Sequence, residues 1–458
     1  GGDSISAINM QIEALKYGLE FEYADIFNYP TIRQLSKKLP SPEEKFMSNY
    51  NYSKIDKILQ NNCVENIKNI SKYDVKNILL IGGTGYLGAH IISTFLKNET
   101  GIVYCLIRQK NNESPLYRIN RRLEFYFEKD FLNKYSNRIK VIKGDITSKN
   151  LGLTDENYSN LIKNIDTVIN AGAIVKHFGQ KEEFENINVF GTKNVIEFCT
   201  RNKKRLLHIS TMSVSGFGEK EEFSNNPEEE GTKKFSEQNL YVGQNIKGIY
   251  TTTKFKAEIA VLEAVSNGLD AQLLRIGNIT NRYSDGKFQI NINDNAFARR
   301  IKSFVEIGAF PKYLLTHAIE LTPVDVCADA VLKILEHNSP CNVFHLYDTN
   351  LLPINIFYDT ILERGINLTP VSNTLMTYII KGILSDDSKK SIISGIVQDL
   401  DKDKKFTYIS KVGLDATFTQ KYLEAIGFNW STFDSEYVNK CFDYFENVGF
   451  IDKNLEEH

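Results

Sequence analysis

Tyr250-Thr-Thr-Thr-Lys254 sets a phenol and an ammonium four residues apart. On a helix that spacing brings both side chains to one face. A free tyrosine titrates near ~10. A neighbouring ammonium favours the phenolate, so the pair is suited to exchanging a proton near neutral pH. A hydroxyl at an adjacent strand end would complete the site by hydrogen-bonding a substrate oxygen. Thr211, in Leu206-Leu-His-Ile-Ser-Thr-Met-Ser-Val-Ser215, is the best candidate. Surface helices often contain Y-x-x-x-K, so the pair needs a second constellation to acquire meaning. That constellation lies upstream, in Gly82-Gly83-Thr84-Gly85-Tyr86-Leu87-Gly88.

The elements around these residues must position them. Ile78 to Ile81 is an apolar run that reads as a buried parallel strand, and helical spacing follows through Leu87, Ile91 and Phe95. Gly83, Gly85 and Gly88 have the G-x-G-x-x-G spacing in this strand–turn–helix context. The stretch from Gly82 to Gly88 is therefore expected to cradle a pyrophosphate on free backbone N–H groups at a helix N-terminus. A second strand, Gly101-Ile-Val-Tyr-Cys-Leu-Ile107, ends at Arg108, 20 positions after Gly88. NAD-specific folds place a carboxylate about there, on the ribose 2′-OH. A guanidinium suits a 2′-phosphate instead, which favours NADP(H). Arg118 and Arg122, on an expected helix, either add to that pocket or form a solvated helix face. Gly144-Asp145-Ile146 closes a third strand, where an Asp with an apolar neighbour can read an adenine edge. Asn170-Ala171-Gly172-Ala173 closes a fourth with small residues, so that a dinucleotide can lie close to the backbone, and Leu206–Ser215 is a fifth. Strands alternating with helical stretches predict an α/β fold with a doubly wound parallel sheet.

The bulk properties exclude several classes. The chain has 458 residues, 42% hydrophobic and 24% charged, enough for two or three domains. A net charge of -2 argues against a nucleic-acid partner. Six scattered cysteines without a C-x-x-C point to reduced thiols and a cytoplasmic location, with no metal site. No apolar run approaches the ~18 residues of a membrane span.

Near the start, Gly1-Gly2-Asp3-Ser4-Ile5 precedes an amphipathic run with Ile5, Ile8, Ile12 and Leu15. Ser4 is placed at a helix N-terminus, where an anion is favoured; a simple N-cap is the alternative. This segment resembles the acyl or peptidyl carrier domains of nonribosomal peptide synthetases, and Asp25-Ile-Phe-Asn-Tyr-Pro-Thr-Ile-Arg-Gln-Leu35 resembles their last helix. The resemblance implies that Ser4 carries 4′-phosphopantetheine and that residues 1–39 are a carrier segment whose first helix would precede Gly1; Pro40, Pro42 and the charged run after them break the helix, so that about residues 40–54 read as a linker.

Residues 55–458 form the second unit. From about residue 76 the chain resembles the extended short-chain dehydrogenase/reductases, specifically the thioester reductase domains that terminate such synthetases, with relatives in carboxylic acid and aminoadipate reductases. The resemblance rests on the glycine turn, Cys105–Arg108, Gly144–Ile146, Asn188-Val-Phe-Gly-Thr192, Ser210-Thr211, Tyr250 with Lys254, Arg275–Thr280, Arg282–Gly286 and Leu321–Asp325. Ile81, where threonine is common, and Asn170-Ala-Gly-Ala173 depart slightly from the pattern. The resemblance implies a Rossmann-type fold and a catalytic triad of Thr211, Tyr250 and Lys254. It also implies NADP(H) on residues 76–280, with Lys254 at the nicotinamide ribose, and a mostly helical substrate lobe over residues 281–458. The implied reaction is reductive release of a carrier-tethered peptidyl thioester, delivered by upstream synthetase modules, as an aldehyde or further as an alcohol. Tyr250 favours reduction over the non-redox cyclising release implied for relatives lacking it. The alternatives are a dehydrogenase or epimerase acting on a free small molecule or nucleotide-sugar, and a non-enzymatic platform. In the lobe, Phe288, Ile290, Ile292, Phe297, Ile301 and Phe304 are expected either to line a pocket or to pack a core. The acidic stretch from Gly218 to Glu230 is expected to be a solvated loop, with a lid as the lesser alternative.

Overall fold

The computed structural model describes residues 4–16, 21, 24–35, 42–110, 112–176, 179–216, 234–246, 248–401, 403–407 and 413–451. The stretch from Gly218 to Glu230 lies outside them. Seven parallel strands form the central sheet: β1 (Ile78–Ile81), β2 (Val103–Ile107), β3 (Ile139–Lys143), β4 (Thr167–Asn170), β5 (Arg205–Thr211), β6 (Ala271–Ile276) and β7 (Val343–Leu346). Their spatial order is β3-β2-β1-β4-β5-β6-β7. Chain direction across the sheet reverses between β1 and β4, and in such sheets that crevice at the carboxyl ends is where ligands bind.

Helices of seven residues or more are α1 (Ser4–Lys16), α2 (Pro42–Asn49), α3 (Ser53–Leu59), α4 (Tyr86–Asn98), α5 (Pro115–Tyr126), α6 (Asp155–Asn164), α7 (Gly191–Asn202), α8 (Ile249–Ser266), α9 (Ala296–Ile307), α10 (Val324–Leu335), α11 (Ile354–Glu363), α12 (Asn373–Leu384), α13 (Thr417–Ala425) and α14 (Ser435–Asn447). Because strand side chains alternate, each strand feeds two cores. Ile78, Leu80, Val103 and Cys105 join α4 and α10 on one face, and Leu79, Ile81, Tyr104 and Leu106 join α3, α7 and α8 on the other. The inner strands β1 and β2 are buried on both sides, so they read as continuous apolar runs, whereas the edge strand β3 exposes Lys140 and Lys143.

A third core lies in the C-terminal lobe and is built from α9, α11, α12 and α14. Phe288, Ile301 and Phe304 are buried in it, Ile292 and Phe297 pack against it, and Ile290 is exposed. The core reading therefore holds for the three most buried: Phe288 meets Phe445, Phe304 meets Phe310 and Phe406, and Ile301 is buried in the same core. Ile8 and Ile12 of α1 belong to the same core, and Glu13 pairs with the buried Lys390. The carrier-like helix is thus seated on the lobe.

The stretch expected to be a linker is largely helical and packed. Pro42 begins α2, where a missing N–H costs nothing. Met47 is buried, and Tyr52 stacks on Tyr241 with ring centroids 5.5 Å apart. Among the described residues no helix is long and apolar enough to cross a membrane, no group of side chains is disposed to hold a metal ion, and the six cysteines are unpaired.

Candidate active site

Every strand of the sheet runs the same way, so the turns that follow them meet at one edge. The glycine turn follows β1, Arg108 follows β2, Asp145 follows β3, Asn170 ends β4 and Thr211 ends β5. Gly82 has φ +89°, and a Cβ there would lie 2.5 Å from the Ala171 carbonyl oxygen. A Cβ on Gly88 would lie 2.2 Å from the Gly82 carbonyl oxygen. These two glycines are required for the first turn of α4 to approach β1 and β4 so closely. Gly85 caps α4, and a Cβ on it would touch only the Gly82 oxygen, so the side facing the crevice is open. That cradle of bare backbone fits a pyrophosphate.

The remaining expected cofactor residues fall around this turn with one qualification. Arg108 is exposed at the end of β2, and Arg118 on α5 donates to its carbonyl oxygen. Burial, and then the Arg108 charge, push the Arg118 guanidinium below its usual range, so two cations converge beside the crevice. Asp145 accepts from the Thr147 N–H and hydroxyl at 2.9 and 2.8 Å, and Ile146 is buried below Gly172 and Gly191. The Asn170 Oδ1 accepts from the Gly172 N–H at 3.2 Å. The Tyr86 phenol, however, donates to the Thr280 and Lys287 carbonyls at 3.1 and 3.0 Å. Its side chain therefore ties the glycine turn to the lobe, and only its backbone is placed for phosphate.

Thr211 and Tyr250 are brought together by the packing of α8 against β5, and share a side-chain hydrogen bond. Lys254 is buried and donates to the Ile209 carbonyl at 2.6 Å. Burial pushes the Lys254 ammonium down to about 8, opposed by the Glu258 carboxylate. Burial, helped by Glu258 and opposed by the Thr211 hydrogen bond, pushes the Tyr250 phenol up to about 12. The proximity argument from sequence anticipated the reverse for tyrosine. Desolvation outweighs it here, because the lysine nitrogen is engaged by a strand carbonyl.

Several residues that hold this arrangement have no role assigned from the sequence. Asn188, in the π-type turn Glu185–Phe190, accepts from the Ile174 N–H at 2.8 Å and donates to the Thr253 hydroxyl at 3.0 Å. It ties the segment beyond β4 to the helix of Tyr250, and π-turns of this kind recur at functional sites. Glu258 lies one turn beyond Lys254, accepts from Ser210 at 2.5 Å and pairs with Arg275 at 2.9 Å, both side chains fully buried. The i, i+4, i+8 series Tyr250, Lys254, Glu258 was a readable signal for it. Ser4 opens α1.

A parallel sheet with a glycine turn at its switch point, and a hydroxyl, phenol and ammonium at the same edge, defines a nicotinamide-dependent oxidoreductase of the extended short-chain type. A family model described as male sterility protein, an NAD-binding family, matches residues 80–331, and the chain belongs to that family. It is 31% identical to a thiolation-reductase di-domain from an archaeal non-ribosomal peptide synthetase, covering 99% of this chain and 92% of that one with a TM-score of 0.86. It is 27% identical to the reductase domain of the aureusimine biosynthetic cluster, covering 90% and 99% with a TM-score of 0.69. It is 27% identical over 392 residues to the L-2-aminoadipate reductase large subunit of Candida glabrata, 79% of this chain but 28% of that protein. The chain spans about a third or less of the curated relatives it matches first.

Proposed function

We propose that this chain releases a carrier-bound peptidyl or aminoacyl thioester reductively, as an aldehyde, using NADPH. The observation that carries the reading is the meeting of Thr211, Tyr250 and Lys254 with the glycine cradle, in a chain whose first helix begins at Ser4 and is seated on the lobe. Residues Gly82–Gly88, Asp145, Ile146 and Asn170–Gly172 would hold the dinucleotide, with Arg108 and Arg118 on a 2′-phosphate. The cofactor supplies the hydride that reaches the thioester carbon. Thr211 and Tyr250 donate to the carbonyl oxygen as negative charge develops on it. Tyr250, a phenol that burial keeps protonated, gives its proton to that oxygen and yields a hemithioacetal. Collapse of the hemithioacetal breaks the C–S bond and leaves aldehyde and free thiol. Lys254 would hold the nicotinamide ribose and return a proton to Tyr250. Ser4 would bear the phosphopantetheine arm, and tethering would raise the effective concentration of substrate. Upstream synthetase modules would load it.

The test is to load Ser4 with an aminoacyl phosphopantetheine and to follow NADPH absorbance and the product mass. Aldehyde with matching NADPH loss is expected. Unchanged NADPH with only acid released would overturn the proposal. Full activity of a Ser4→Ala chain on its natural substrate would favour the freely diffusing alternative.

A further inference from the structure

One buried side chain in contact with this site has no part in the chemistry above. His208 is 1% exposed and lies directly beside Asn170 in the register of β4 and β5. Its Nδ1 is 3.3 Å from Asn170 Nδ2, and its Nε2 is 3.4 Å from Lys254 Nζ. Burial and the Lys254 charge hold the imidazole well below the usual histidine range, so the ring is neutral. A neutral imidazole has one donor nitrogen and one acceptor nitrogen. Asn170 presents its Oδ1 to the Gly172 N–H, which turns its Nδ2 toward the ring. Nδ1 is therefore the acceptor, and the ring proton sits on Nε2, facing Lys254. A free amine can accept that proton in a hydrogen bond, but an ammonium has no lone pair with which to do so. The bond from Lys254 to the Ile209 carbonyl serves either form.

We propose that His208, fixed as its Nε2–H tautomer by Asn170, is a positioning residue that biases Lys254 toward the amine. The ammonium then gives up its proton readily. After Tyr250 has protonated the product oxygen, a lysine N–H bond breaks, the phenol O–H bond re-forms, and bulk water restores the lysine proton. The charged and titratable groups around Lys254 are Tyr250 and Glu258 on its own helix, His208 on β5 and, behind Glu258, Arg275 on β6; β4 contributes the neutral Asn170.

This inference rests on the assignment of Lys254 to a reductive site, so its test has an arm that needs no turnover. Imidazole ¹⁵N spectra of the full chain, with the His208 signals assigned from a His208→Gln variant, should show the Nε2–H tautomer and no titration through the neutral range. Asn170→Asp, which is isosteric, places a carboxylate against Nδ1 and should swap the tautomer to Nδ1–H. An Nδ1–H ring in the parent, or no swap in Asn170→Asp, would overturn the proposal. In the activity arm, the alkaline limb of kcat that loss of the Lys254 proton is expected to produce should rise by ~1 on the pH scale in His208→Leu and Asn170→Asp. A fall in kcat with the limb unmoved in both would mean that His208 only fills space. If the parent oxidises no NADPH with any thioester, the functional reading fails, while the tautomer arm still decides the role of His208.

Discussion

The buried pair that joins α8 to β6 allows the most quantitative test. Arg275 and Glu258 are both fully buried. The Arg275 Nε reaches both Glu258 oxygens at 3.3 and 3.1 Å, and one Nη donates at 2.9 Å. The other Nη donates to the Asn239 carbonyl at 2.9 Å and meets the His345 Nε2 at 3.1 Å, while the guanidinium sits 4.9 Å over the Phe235 ring. Glu258→Ala would leave that guanidinium charged, dry and short of its carboxylate partner. Breaking one side of such a pair costs ~3–5 kcal/mol. Glu258→Gln keeps one acceptor oxygen but forfeits the charge-assisted bonds, a loss of ~1.5–3 kcal/mol. Replacing both partners, as Glu258→Leu with Arg275→Met, removes the stranded charge and should fall much closer to the parent. Urea unfolding of the four proteins, followed by circular dichroism, measures all three differences. A loss below ~1 kcal/mol in Glu258→Ala would refute the reasoning, since it would mean that Arg275 rehydrates or moves. The same substitution carries a functional sign. Glu258 raises the Lys254 pKa, so Glu258→Gln should shift any alkaline limb of kcat set by Lys254 to lower pH than in the parent.

Other outcomes follow from the same geometry. Tyr250→Phe keeps the ring but removes the proton donor to the carbonyl oxygen, and kcat for NADPH oxidation should fall ~10²–10⁴-fold with cofactor affinity in calorimetry unchanged; equal rates would discard the assigned role. Arg108→Ala should weaken NADPH binding at least ~10-fold, about 1.4 kcal/mol, and leave NADH binding unaltered; parallel loss of both would show that Arg108 does not read the 2′-phosphate. Asp348 is fully buried with its Oδ2 unpartnered, and burial raises its carboxyl from an ordinary 3.8 to about 7. A raised carboxyl stabilises the fold fully below its unfolded value and loses that contribution as pH climbs to its folded value. Asp348→Asn should therefore melt higher than the parent at pH ~8 and lose that advantage near pH ~4, since a tenfold change in proton affinity is worth ~1.4 kcal/mol; a pH-independent difference in Tm would contradict the assignment.

Much of this molecule was legible in its residues. The apolar run Ile78–Ile81, the spacing of Gly83, Gly85 and Gly88, and the repeated strand–helix alternation correspond to a doubly wound parallel sheet with its glycine turn at the switch point. These features are local: strand burial, φ +89° at Gly82 and the excluded Cβ at Gly88 constrain residue type position by position. Tyr250 and Lys254 were readable for the same reason, as a helical spacing. The packed helix at Pro42–Asn49 was not, because Pro42 and the charged run Glu43-Glu44-Lys45 have the composition of a linker, and only the burial of Met47 and the stacking of Tyr52 on Tyr241 show that the segment packs.

By itself the sequence determined the sheet class and the glycine turn, and it put forward Tyr250 and Lys254 as the side chains proposed here to handle protons, since each of these follows from spacing along one segment. The tertiary structure alone decided their electrostatics. Asn170, His208, the Lys254/Glu258 helix and Arg275 lie on separate segments of the chain, and the contacts between them exist only once β4, β5, β6 and α8 are assembled. Burial then drives the phenol up and the ammonium down, against what their four-residue spacing suggests, because a desolvated charge responds to every dipole packed around it.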